Sequence, residues 1–317
     1  MAHSQGSNID TNEGSNDLTG PAATQQSTLE LAGVEHTYTS HEKDGPPDVV
    51  FISSDEIRLY AHRAQLCEVS NNHFGSLLMP SMANPTPTTI ALSEDVYTLS
   101  VIFHVIYNAS FKPYTPTLEA LSNAINALDK YGLRPCSHVS PGSPIFEEVV
   151  KFTSRAPLII YTLGAEHDLF EIAQKASEHL LTYPVNTLSD DIVARVGSVY
   201  LQRLFDLHAA RIYVLQRLVT QRPDEHKPNT HRGENGCESM QLAWSNATAI
   251  LILDVNPEIL SETIQKHFER FIATLPCAEC RNCTESHVRE ILWKWSITPR
   301  SICRDTQDFY SVLSLTN

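Results

Sequence analysis

Residues 48–66 read "DVVFISSDEIRLYAHRAQL", and they decide how the first half of the chain folds. The runs "DVVFI" and "IRLY" are short and rich in β-branched and aromatic side chains, which is typical of strands, and "SSDE" between them predicts a hairpin turn. The stretch "AHRAQLCEV" then predicts a short helix. A charged residue lies at each end of the hairpin, Asp48 before the first strand and Arg63 after the second. The hairpin therefore raises the question of what these two charges bind.

The rest of the chain predicts an α+β fold, in which a short sheet flanked by helices is followed by an all-helical region. "TTIAL" at 88–92 predicts a third strand, and apolar residues that recur every three or four positions predict the helices. One such helix, after Ser70, would bury Phe74, Leu77 and Leu78. Beyond "RPCSHVSPGSP" at 134–144 the strand patterns cease.

Composition divides the chain into segments. Residues 1–44 are mostly Ser, Thr, Asn, Gln and Gly with few large apolar side chains, a composition typical of a disordered tail. Residues 45–135 are predicted to form the small α+β domain and residues 145–317 the helical region. Within the helical region, the polar stretch at 221–239 contains Pro and Gly and predicts a flexible insertion.

The charge balance argues against two classes of partner. Lys and Arg total 23 against 37 Asp and Glu, which gives a formal net charge of −14. Direct binding of nucleic acid or of anionic lipid needs clustered basic residues. No basic segment followed by an apolar stretch opens the sequence, and no apolar run reaches the ~20 residues of a membrane helix. We therefore expect a cytoplasmic or nuclear protein with reduced cysteines.

The hairpin and the elements after it resemble the BTB/POZ domain. The resemblance spans residues 46–135 and rests on six short stretches: "DVVF" at 48–51, "AHRAQL" at 61–66, Phe74, "TIAL" at 89–92, "IYN" at 106–108 and "ALDKYGL" at 127–133. It implies a homodimer that binds other, unidentified proteins. The helical region is similar to the extension that follows the domain in many fungal members.

The resemblance also implies a role for the two charges of the hairpin. In the family, the residues at the positions of Asp48 and Arg63 lie together in a charged pocket close to the dimer surface, where a carboxylate and a guanidinium can pair bidentately. The alternative is an ion pair that only holds the fold. Members that recruit a cullin-type ubiquitin ligase often carry a hydrophobic–x–Glu motif before the third strand. Here that place reads Met82–Ala83–Asn84, so a substrate adaptor is the alternative function and not the default.

Signatures of catalysis are missing from the sequence. It contains no GxGxxG, GxxxxGK[ST], GxSxG or HExxH motif. We therefore predict a non-enzymatic protein that acts by protein–protein interaction.

A dense cysteine run near the C-terminus is the one stretch whose spacing suggests a metal site or a reactive thiol. Cys277, Cys280, Cys283 and His287 are spaced C-x2-C-x2-C-x3-H, which suits a tetrahedral zinc site, with Cys303 or Cys237 as substitutes for His287. The run is also similar to iron–sulfur spacing. Two further interpretations stay open. The cysteines can be small buried residues on one helix face, or Cys283, placed before a helix expected to start at Thr284, can be a redox-active thiol.

Overall fold

The computed structural model describes residues 36–37, 45–79, 88–112, 114–226 and 237–315. Residues 35–317 cluster into one compact unit. The described part is mostly helical with one small mixed sheet, an α+β architecture. Four strands form the sheet in the order β1–β3–β2–β4, and their bounds are His36–Thr37 (β1), Val49–Ile52 (β2), Arg58–Ala61 (β3) and Thr88–Ala91 (β4).

Twelve helices are described, together with short 3-10 turns at Asp129–Tyr131, Val185–Thr187 and Ser311–Ser314. The helices are Arg63–Val69 (α1), Val96–Ile106 (α2), Leu118–Leu128 (α3), Pro135–His138 (α4), Pro144–Val150 (α5), Pro157–Glu166 (α6), Phe170–Ser177 (α7), Asp190–Thr220 (α8), Glu238–Leu253 (α9), Ser261–Ile272 (α10), Ala278–Ile297 (α11) and Gln307–Tyr310 (α12). Helix α8 is kinked at Gly197, whose φ of +70° lies outside the helical region.

The three predicted strands are confirmed. Strands β2 and β3 form the antiparallel hairpin, with Val49 opposite Ala61, and β4 runs parallel to β2. Along β2 the buried side chains alternate with partly exposed ones, because successive side chains of a strand point to opposite faces of the sheet. Strand β1 was not predicted, because its residues fall in the stretch assigned to the disordered tail. It pairs in parallel with β3, while residues 1–35 and 38–44 lie outside the described part of the chain.

The helix predicted after Ser70 is wrong. Residues 71–78 form turns, and His73, Phe74, Gly75 and Ser76 all have positive φ angles. Side chains bind the amides of this stretch: Ser70 Oγ accepts from the Phe74 amide at 2.7 Å, and Asn72 Oδ1 accepts from the Gly75 amide at 2.7 Å. Short polar side chains that bond nearby backbone compete with helix formation, and here they displace it.

An aromatic cluster forms the core beneath the sheet. Phe51 contacts the rings of Phe74 and Phe103 at centroid distances of 5.3 and 5.5 Å, and Phe74 stacks on Tyr131 at 4.3 Å. The Tyr131 hydroxyl donates to Glu94. Burial would raise the pKa of the Glu94 carboxyl, but hydrogen bonds from Lys130 and Tyr131 outweigh it and hold that pKa below its ordinary value. The network ties the turn after α3 to the start of α2.

Helix α5 joins the sheet-containing part to the helices that follow. It packs against α2 and α3 and also against α7. The later helices enclose a second core, in which Trp244 of α9 stacks on Phe268 of α10 at 4.4 Å. Among the described residues, no helix is long and apolar enough to cross a membrane.

Candidate functional site

Three separate segments of the chain bring cysteines and a histidine together in the helical region. Cys277 is the N-cap of α11, and Cys280 lies in its first turn. Residues three apart on a helix face the same side, so these two thiols are neighbours. Cys237 is the N-cap of α9, and His226 lies six residues beyond the end of α8. The two ends of the predicted insertion therefore meet at the start of α11.

The donor atoms of this group are close to one another. His226 Nε2 lies 3.2 Å from Cys280 Sγ and 3.5 Å from Cys277 Sγ. One ligand atom from each of His226, Cys237 and Cys280 fits within a span of 4.8 Å. Cys280 is 1% exposed and Cys237 is 9% exposed, so the group is largely shielded from water. We call His226, Cys237, Cys277 and Cys280 the Cys–His cluster.

A carboxylate orients the histidine of the cluster. The Glu279 carboxylate lies 3.1 Å from Nδ1 of His226, on the opposite side of the ring from the thiols. A carboxylate there favours the tautomer in which Nδ1 carries the proton, and it leaves the Nε2 lone pair directed at the sulfur atoms.

The thiols of this region differ in acidity. The backbone amides of Cys280 and Glu279 donate to the Cys277 sulfur and lower its pKa, as the start of a helix is expected to do. Burial and a hydrogen bond with Cys277 raise the pKa of Cys280 to about 12. Burial and nearby negative groups raise the pKa of Cys283. The acidic thiol of the run is therefore Cys277.

This result corrects the expectation for Cys283. Helix α11 begins at Ala278 and not at Thr284, so Cys283 lies inside the helix, where the terminal amides do not reach it. Its thiol is partly buried and packs against the cluster. The basis for a redox-active Cys283 is thus removed.

The predicted fourth ligand, His287, is placed elsewhere. It follows Cys280 by seven residues, which displaces it about 10 Å along the helix axis. Its Nε2 lies 3.0 Å from the carbonyl oxygen of Gln221, and its ring meets Trp244 edge-on at 5.1 Å. Cys303 donates instead to the Ser301 carbonyl at 3.6 Å. Of the two substitutes predicted for His287, Cys237 is the one that lies in the cluster.

Sequence reasoning missed His226. The residue lies in the polar stretch that was interpreted as an insertion, and no regular spacing connects it to the cysteines. The one signal available was that a His and a Cys, His226 and Cys237, stand near the two ends of that stretch. Residues 227–236 between them lie outside the described part of the chain.

The second candidate site, formed by Asp48 and Arg63, differs from the predicted ion pair. Asp48 Oδ1 accepts from the backbone amide of Arg63 at 2.7 Å. The Arg63 guanidinium donates instead to the Leu78 carbonyl at 3.1 Å and to the Thr88 hydroxyl at 3.3 Å. Within the described residues, the two side chains are neighbours that hold different groups and do not form a bidentate pair.

This geometry gives Asp48 a defined structural role. His62, the N-cap of α1, has no side-chain capping bond, and the Asp48 carboxylate supplies an acceptor for the first amide of that helix. The Arg63 guanidinium meanwhile ties α1 to the turn segment at Leu78 and to β4. Together the two residues fix α1 against the hairpin.

We expect Asp48→Ala to lower the free energy of unfolding by about 1 kcal/mol, the usual cost of removing a helix-capping acceptor. Asp48→Asn should cost less, because its amide oxygen can still accept from the Arg63 amide. Chemical denaturation of the two variants measures this difference. Glu68→Ala, an exposed change on α1, is the control. A larger loss in Asp48→Asn than in Asp48→Ala would contradict the capping role.

Comparison with known proteins gives no relative. No protein-family model, curated protein or solved structure matches the chain. Met82–Asn84, the stretch that bears on cullin recruitment, lies outside the described residues.

Proposed function

We propose that this chain is a non-enzymatic protein-interaction protein that self-associates through a BTB/POZ-like unit at residues 45–135. One observation supports the proposal: five of the six stretches on which the resemblance rests lie in or beside strands and helices of the described chain, whereas Phe74 lies in turns. "DVVF" leads into β2, "AHRAQL" joins β3 to α1, and "TIAL" covers most of β4 and the residue after it. "IYN" begins at the last residue of α2, and "ALDKYGL" spans the end of α3 and the 3-10 turn that follows.

The order of the elements supports the same proposal. The hairpin β2–β3 is followed by α1, by β4, which returns to the sheet beside β2, and then by α2 and α3. The resemblance rests on this order, with one departure at residues 71–78, which form turns in place of a second helix.

An exposed apolar pair marks the surface that we assign to the second copy. Leu77 and Met79 are 41% and 56% exposed, and they flank Leu78, whose carbonyl binds Arg63. The pair therefore lies beside the charged residues that the resemblance places near a dimer surface. Closed two-fold dimers are the commonest way in which one copy of a chain covers such a surface on another.

Light scattering on the full chain should give twice the 35.4 kDa chain mass. Met79→Glu should shift the equilibrium to monomer, because it places a charge where an apolar contact is proposed. Leu253→Glu is the matched control, since Leu253 is 84% exposed on α9. A monomeric wild-type chain at tens of micromolar, or equal effects of the two substitutions, would contradict the proposal.

A further inference from the structure

We propose that the Cys–His cluster is a structural zinc site whose four ligands are His226, Cys237, Cys277 and Cys280. The inference is independent of the self-association proposed above, since the cluster lies in the helical region. It replaces the ligand set that the spacing of the cysteine run predicts, because His287 and Cys283 are left out and His226 and Cys237 are brought in.

The distances around His226 fit one tetrahedral ion. Cys277 joins the ligand set through its 3.5 Å contact with His226, and it lies outside the 4.8 Å group of His226, Cys237 and Cys280. With zinc–sulfur and zinc–nitrogen bonds of about 2.3 and 2.0 Å, neighbouring ligand atoms lie about 3.5–3.8 Å apart. The His226 Nε2 contacts to Cys280 and Cys277, at 3.2 and 3.5 Å, are close to that spacing. The ligand atoms of His226, Cys237 and Cys280 span 4.8 Å. They would have to move about one ångström closer together to reach the spacing around a bound zinc ion.

The donor set favours zinc over the cations that prefer oxygen ligands. Three thiolates and one imidazole in a compact group suit zinc, whereas carboxylate and carbonyl oxygens would suit magnesium or calcium. Four protein ligands leave no open coordination position, which makes the site structural and not catalytic. Binding releases three thiol protons, and three thiolates with a neutral histidine leave the bound centre with one negative charge.

An acidic side chain beside the cluster holds the ring of its histidine. Glu279 holds Nδ1 of His226, the arrangement that orients histidine ligands in zinc proteins.

Packing around the cluster explains why a metal would be useful there. The apolar residues that surround it are few: Met240, Leu275 and Ala243 pack with the cysteines, whereas the main helical core is formed by other residues. A metal would tie the segment after α8 to the first turns of α9 and α11, where little apolar surface does so.

The test begins with the full chain, purified under reductant from zinc-supplemented cells. Elemental analysis should find close to one zinc per chain. Cobalt added to the metal-free chain should give the thiolate-to-metal absorption bands of a tetrahedral site, and zinc should bleach them. Less than a tenth of an equivalent of zinc, together with no cobalt spectrum, would overturn the proposal.

Alkylation with mass spectrometry identifies the ligands in the folded wild-type protein, so it does not depend on variants that may not fold. Zinc should protect Cys237, Cys277 and Cys280, and it should leave Cys67 and Cys136 as reactive as in the metal-free chain. Protection of Cys283 in place of Cys277, or a disulfide within the cluster under reductant, would overturn the assigned set.

Two variant pairs separate this ligand set from the one predicted by spacing. His226→Asn should lose stoichiometric zinc, and His287→Asn should keep it. Glu279→Gln should weaken zinc affinity roughly 10–100-fold by freeing the histidine ring, whereas Glu285→Gln, an exposed change on the same helix, should leave the affinity unchanged. Loss of zinc in His287→Asn with retention in His226→Asn would reverse the assignment.

Discussion

Arg211→Met should lower the free energy of unfolding by about 3 kcal/mol or more, the largest loss we expect from a single substitution in the helical region. Arg211 lies on α8, is 1% exposed and carries the most buried charge in the described part of the chain. Its guanidinium donates to the carbonyls of Pro257, Thr298 and Pro299 at 2.7, 3.1 and 2.8 Å. It also lies 4.2 Å from the ring centre of Trp295.

The size of this effect follows from the three carbonyl oxygens that lose their hydrogen-bond donor when methionine replaces Arg211. A buried carbonyl that loses its donor costs about 1–3 kcal/mol, and the substitution removes one buried and two partly buried hydrogen bonds at once. The cost of burying the guanidinium, which lowers the pKa of Arg211 to about 10 while keeping it charged at neutral pH, is recovered and offsets part of the loss. The balance remains clearly destabilising, because this side chain hydrogen-bonds the loops at Pro257 and at Thr298–Pro299 to α8.

Chemical denaturation measures the effect, with two companion variants. Arg211→Lys keeps the charge but not the planar fork, so it should fall between wild type and Arg211→Met. Arg217→Met, an exposed change six residues along α8, should stay within about 0.5 kcal/mol of wild type. If Arg211→Met and Arg217→Met had the same effect, the three carbonyl bonds would not matter to stability.

Arg211 also shows where sequence patterns stop being informative. It falls in the buried stripe of α8, between Leu207 and Val214, at a position that helical periodicity assigns to the core. A search for apolar residues does not select Arg211, because its side chain is charged. Only the tertiary structure shows the three carbonyl oxygens that make a buried arginine stable there. The periodicity of the helix was readable from the sequence, whereas the reason for the arginine was not.

The Cys–His cluster is likewise predictable from the sequence only in part. The nearness of Cys277 and Cys280 follows from the helix itself, since residues three apart share a face. The approach of His226 and Cys237 depends on how α8 and α9 pack against α11, and no local spacing encodes it. The spacing instead favoured His287, which lies about 10 Å from Cys280 along the axis of the continuous helix.

The strands were predictable because their signal is local. Short runs of β-branched and aromatic residues mark β2 and β3, and the polar turn residues "SSDE" lie between them. Strand β1 has only two residues, too few to show a period. The helix prediction for residues 71–78 is wrong because the side chains of Ser70 and Asn72 bind amides that a helix would need for its own hydrogen bonds. The spacing of apolar residues gives no sign of this competition.

Phe51→Ala should lower the free energy of unfolding by about 3–5 kcal/mol, the usual cost of emptying a buried aromatic site. Phe51 is fully buried at the centre of the aromatic cluster, within 5.5 Å of the rings of Phe74 and Phe103, so its removal leaves a cavity lined by rigid rings. Val50→Ala on the same strand should cost about 1 kcal/mol or less, because Val50 faces the other side of the sheet and is only partly buried. Chemical denaturation of both variants tests the register of β2, since a slip of one residue would exchange the two faces and reverse the order of the effects.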